Sequence, residues 1–168
     1  MKKISALLLT CTLAIPLSAQ SAAPKATPAA VTLPAAAAVL SAPLALKAGV
    51  IAQPETTELT GGGKAVFEFT ITTAGEYVIH AVVNATGEEE NSFFLNIDAQ
   101  PEDPLMIWDI DVTKGFEERI VSWRGNGDGN NDEFAPKRFK LSAGPHKLIL
   151  VGREPTQLKS LSIRLAAK

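Results

Sequence analysis

The sequence predicts an all-β fold, a β-sandwich. Three features point to it: short stretches alternating apolar and polar residues at period two, turn residues recurring about every 8–12 positions, and no useful run with a helical period of about 3.6. The clearest strand is Val66-Phe67-Glu68-Phe69-Thr70-Ile71, which puts Phe67, Phe69 and Ile71 on one face and Glu68 and Thr70 on the other. Thr72-Thr73-Ala74-Gly75 then reads as a turn, and Glu76 to Asn84 as a second strand rich in β-branched and aromatic residues. Asn91 to Asp98 alternates Phe93, Leu95 and Ile97 against Ser92, Asn96 and Asp98. The stretches 105–111, 119–123, 138–141, 147–151 and 158–165 complete the predicted set. Tyr77 to Val83 and Leu148 to Val151 are apolar on both faces, as expected of central strands or of strands with a loop over one face.

The amino end predicts export. Met1-Lys2-Lys3 precedes a run of about 14 mostly apolar residues, Ile4 to Leu17, in which Pro16 ends the helical part, and the small residues Ser18, Ala19, Ser21, Ala22 and Ala23 that follow suit a signal peptidase. A membrane-spanning helix needs roughly 20 apolar residues, so the run is too short to be a stable anchor. Residues 1–22 are read as the signal peptide and 23–43, almost wholly Ala, Pro, Thr, Val, Ser and Leu, as a flexible linker. Residues 44–168 form the predicted domain, of ordinary size for one core. The single cysteine, Cys11, lies inside the signal, so the exported form has no disulfide and no thiol ligand or nucleophile. A lipid-attachment box at Leu8-Leu9-Thr10-Cys11 is the lesser alternative, because Thr10 fits it poorly.

The chain carries 16 basic and 18 acidic residues; losing Lys2 and Lys3 moves its net charge from −2 to about −4. A mildly acidic chain without a basic cluster is a poor ligand for nucleic acid or anionic lipid. Neither nucleic-acid binding nor membrane insertion is expected, and the protein belongs in the periplasm, at the cell surface or outside the cell.

Several motifs recur in one order: Ala74-Gly75-Glu76-Tyr77, Asn91-Ser92-Phe93-Phe94, Ile107-Trp108, Ala143-Gly144-Pro145-His146-Lys147-Leu148 and Gly152-Arg153-Glu154. In that order they resemble the carbohydrate-binding modules of the galactose-binding-like jelly-roll fold, over nearly the whole domain. The resemblance implies a jelly-roll sandwich, a polysaccharide or glycan as partner, and a role for His146 in fixing its hairpin. It also implies a structural calcium held by an opening Glu-Ala-Glu strand and a closing Leu-Asp pair. This chain reads Leu44-Ala45-Leu46-Lys47-Ala48 and Leu158-Lys159 there, so no cofactor is expected at that position.

Sugar sites stack aromatic rings on the apolar face of a pyranose and surround its hydroxyls with Asn, Asp and Arg. Trp108, and Trp123 followed by Arg124, Asn126, Asp128 and Asn130, are the candidates for such a site. Core packing is the competing reading for both tryptophans. The Gly125 to Glu133 stretch, the most polar in the chain, is read as a surface loop; it lacks the glycine and glutamate positions of an EF-hand, but is where calcium would be sought. Catalysis finds little support: there are two histidines, no His-x-His pair, no Gly-x-Ser-x-Gly elbow and no phosphate loop. Arg153-Glu154 reads as an ion pair ending a strand. The sequence therefore predicts a non-catalytic glycan-binding module, the alternative being a sandwich that binds another exported protein.

Overall fold

The computed structural model describes residues 30–124 and 134–167. Among these, twelve strands run in chain order: β1 (Val31–Pro34), β2 (Val39–Leu40), β3 (Ala45–Lys47), β4 (Val50–Ala52), β5 (Lys64–Ile71), β6 (Gly75–Asn84), β7 (Ser92–Ile97), β8 (Ile107–Asp109), β9 (Glu117–Ile120), β10 (Phe139–Leu141), β11 (Gly144–Gly152) and β12 (Gln157–Leu165). All pairings are antiparallel. One sheet of seven strands has the order β10-β6-β12-β4-β3, with β1 also on β12 and β9 also on β6; the five-stranded sheet has the order β2-β5-β11-β7-β8.

Alternation sets the inner faces. In β5, Ala65, Phe67, Phe69 and Ile71 are buried while Lys64, Glu68 and Thr70 are exposed, as the period-two pattern requires. They meet Leu148 and Leu150 of β11, Phe93 and Leu95 of β7, and Ile79 and Leu158 of the other sheet in one core. Each such fully buried side chain contributes about 1.5–3 kcal/mol relative to exposure. The apolar outer positions of β7, β8 and β11 are covered too: Phe94, Ile107, Ile149 and Val151 form a second, smaller cluster with Leu59 packed against it. That cover explains why all six residues of β7 are buried despite their alternation.

The structure differs from the sequence reading at the start of the sandwich. Residues 23–43 were expected to be linker, yet β1 aligns Val31 with Ile163 and Leu33 with Leu161 on β12. After a 3-10 turn at Ala35–Ala37, β2 aligns Val39 with Val66 on β5. This short segment therefore edges both sheets, with Leu33 and Ala35 buried between them. Composition misled because small residues and prolines also suit short edge strands, where a missing N–H breaks no ladder. The expected opening strand, Leu44 to Ala48, is instead the exposed edge β3, and β4 was not anticipated. The signal expected at 1–22 lies outside the described residues. No helix among the described residues is long and apolar enough to cross a membrane.

Candidate functional site

Four connections gather at one end of the sandwich: β6 to β7, β8 to β9, β9 to β10, and β11 to β12. Between them lies a cleft of about 360 Å³, lined by Glu88, Asn91, Asp109, Ile110, Asp111, Val112, Arg124, Phe134, Arg153 and Glu154. Phe134, 55% exposed, and the exposed Val112 contribute only a small apolar part of its lining. Its remaining walls are largely polar.

Two guanidinium–carboxylate pairs shape those walls. Arg124 grips Asp109 through Nε and Nη2, the Nη2 to Oδ1 distance being 2.6 Å. This fork geometry fixes the plane of the guanidinium as well as its position. The backbone places it, because the Arg124 amide donates to the Ile107 carbonyl at 3.0 Å and draws the chain after β9 across to β8. Arg153 Nη1 donates to Ser92 Oγ at 2.6 Å and to Glu154. Glu154, only 7% exposed, also accepts the Asn91 amide at 3.0 Å. The ion pair expected at the end of a strand is therefore present, and it ties the β11–β12 turn to the start of β7.

Both tryptophans are corrected to core residues. Trp108 is 1% exposed, donates Nε1–H to the Ile120 carbonyl at 3.1 Å and lies beside Phe93 at 6.2 Å between ring centroids. Trp123 is 9% exposed, donates to the Leu95 carbonyl at 2.9 Å and meets Phe139 edge-on at 5.5 Å. The Lys137 ammonium caps its outer face at 4.0 Å, and burial there holds this amine below the ordinary lysine value. Neither ring has a free face on which a sugar could stack. Of the other nominated residues, Arg124 lines the cleft, whereas Asn126, Asp128 and Asn130 lie outside the described residues. Phe134 was missed, although a lone aromatic ending a polar stretch was a usable signal; Asp109, Asn91 and Arg153 reach the cleft only through strand register.

The calcium position implied by the resemblance does not fit this chain. Ala45, Leu46 and Lys47 are exposed and offer no carboxylate, and the Lys159 ammonium lies 5.6 Å from the Phe116 ring centroid. Among the described residues, no three His, Cys, Asp or Glu side chains are gathered to hold a metal. Tyr77 and His80 lie away from the cleft lining. Tyr77 is buried with its hydroxyl donating to the Thr73 carbonyl at 2.5 Å, and His80 lies on β6, 3.1 Å from Glu118.

Two facing antiparallel sheets form the sandwich fold that solved carbohydrate-binding modules share. The fold matches the C-terminal family 6 carbohydrate-binding module of LamC, a laminarinase from Zobellia galactanivorans, with a TM-score of 0.55, 12% identity, and 81% of this chain and 99% of that one covered. It also matches a family 35 carbohydrate-binding module from Clostridium thermocellum, with a TM-score of 0.53, 12% identity, and 83% and 100% covered. For the mannan-binding module of Man5C the TM-score is 0.52 at 17% identity, with 82% and 99% covered. No family model and no curated protein matches the sequence. What these identities establish in common is the fold.

Proposed function

We propose that the chain is an exported, non-catalytic glycan-binding module and that the loop-end cleft is its binding site. The observation that carries this reading is the pairing, in one cleft, of the exposed Phe134 with pre-oriented Asp109–Arg124 and Arg153–Glu154 groups. A pyranose presents an apolar face and a rim of hydroxyls, each both donor and acceptor. Phe134 and Val112 suit the face; Asn91, Asp111 and the guanidinium N–H groups suit the rim. The sandwich fold shared with carbohydrate-binding modules supports the same reading. Asn126, Asp128 and Asn130 follow Arg124 directly in the chain and are assigned to the same ligand. Export is proposed from the signal read at 1–22.

Retention on a panel of soluble and insoluble polysaccharides tests the assignment. Phe134→Ala and Arg124→Ala are each expected to weaken binding about tenfold, equivalent to about 1.4 kcal/mol, while the fold persists. If the unaltered protein is retained by no polysaccharide, the glycan reading falls and an exported protein becomes the partner to seek.

A further inference from the structure

Away from the cleft, a groove of about 480 Å³ runs over the outer face of the five-stranded sheet, lined by residues that include Glu68, Asp98, His146 and Lys147. His146, in β11, is 8% exposed and stacks on Phe69 at 5.6 Å. Its Nδ1 lies 2.6 Å from Asp98 Oδ2, and its Nε2 lies 2.9 Å from the Ser142 carbonyl oxygen. A carboxylate and a carbonyl only accept hydrogen bonds, so both contacts are satisfied together only when both ring nitrogens carry protons. A neutral imidazole has one N–H and would set a lone pair against an oxygen lone pair on the other side. Asp98 is itself committed, since its Oδ1 accepts the Lys147 amide at 2.9 Å and its backbone is left-handed, with φ of 61°. Aspartate tolerates that conformation when its short side chain bonds locally. The other charged side chains on the groove, Lys147 and Glu68, pair with each other at 3.0 Å and leave Asp98 as the charge facing the ring.

We propose that Ser142–His146–Asp98 is a proton-operated latch, which ties the exit of β7 to the β10–β11 turn while His146 is an imidazolium and releases one of these contacts when it becomes neutral. Burial by itself lowers the proton affinity of His146, but the hydrogen bond and charge of Asp98 and the Ser142 carbonyl more than reverse this and raise it above the ordinary value. Burial likewise tends to raise the Asp98 carboxyl, and its bonds to His146 and to the Lys147 amide hold it below the ordinary carboxylate value instead. The signs fix the working window. The contribution of a histidine with raised affinity is complete below about pH 6.5 and is lost as pH climbs through its folded value; that of Asp98 is lost only in acid, below the usual carboxylate range. The latch is therefore closed on the acid side of the folded His146 value and opens as pH climbs through it.

An NMR titration of the imidazole protons in the full chain tests this, with His80→Gln identifying the second histidine. The His146 midpoint is expected above about 6.5 and, in Asp98→Asn, at or below it. Hydrogen exchange at the Lys147 amide should accelerate about tenfold beyond the base-catalysed trend once pH passes the midpoint. A midpoint at or below about 6.5 in the unaltered chain overturns the proposal, as does a Lys147 amide whose protection is unchanged through the titration.

Discussion

Trp123 and Phe134 flank the same polar stretch of sequence, and their fates are opposite. Trp123 follows Val121 and Ser122, and all three are buried because the chain leaves β9 by crossing into the sandwich. Its indole N–H finds the Leu95 carbonyl on the facing sheet, so ring and polar atom are both satisfied inside. Removing the ring in Trp123→Ala leaves a cavity and an unpaired carbonyl, and should cost about 3–5 kcal/mol by chemical denaturation. With both indoles buried, iodide should leave tryptophan emission nearly unquenched in the native protein and quench it strongly after unfolding. Strong quenching in the native state would place Trp123 at the surface and return it to the candidate ligand site. Sequence alone could not separate the two aromatics, because the strand alternation that assigns faces stops at Ile120. From there the direction of each side chain depends on where the backbone crosses between sheets, and local pattern carries no record of that.

Among elements, the turn between β11 and β12 has the most to hold together. The Glu154 amide donates to the Ser92 carbonyl at 3.3 Å and the Thr57 amide to the Arg153 carbonyl at 2.7 Å, so the turn binds β7 on one side and the loop after β4 on the other. Close approach is part of the design: a Cβ on Gly62 would lie 2.1 Å from the Gly152 carbonyl oxygen, a backbone atom of the strand that leads into this turn. Glu154→Ala should cost about 1–3 kcal/mol, since it strands the partly buried Arg153 guanidinium and the Asn91 amide together. It should also weaken glycan retention, because Arg153 and Asn91 both line the cleft; unchanged retention in a folded Glu154→Ala protein would show that the turn does not organise the site. The long strands were legible in the sequence to within a few residues because five or more alternating positions outweigh local accidents. The strands β1, β2 and β4 were not, being only two to four residues long, too short for alternation to register, and β1 and β2 lie in an Ala/Pro-rich stretch that composition assigns equally well to a linker. The bulge between Leu158 and Ser160, which lets β12 turn from pairing β4 to pairing β1, is likewise set by three strands at once.

For the whole molecule, the segment from Val31 to Leu40 determines where the domain begins. It covers one edge of β12 and one edge of β5, which belong to opposite sheets, and it places Leu33 and Ala35 in the core between them. Removing it would expose two rows of unpaired backbone donors and acceptors on strands that are otherwise interior, together with the apolar side chains beneath. A protein beginning at Leu44, where composition alone suggests the domain starts, should therefore lose several kcal/mol relative to one beginning at residue 30, from burial of Leu33 and its neighbours plus the lost ladder bonds. Denaturant melts of the two should show a lower midpoint and a smaller slope for the shorter protein, because less surface is left to expose. The freed edges should also make it self-associate, visible as concentration-dependent sedimentation. Equal midpoints and a monomeric short protein would mean that the segment merely lies against the sandwich; the lowered midpoint would establish Val31 to Leu40 as an integral part of the sandwich, and would rule out any binding experiment that begins at Leu44.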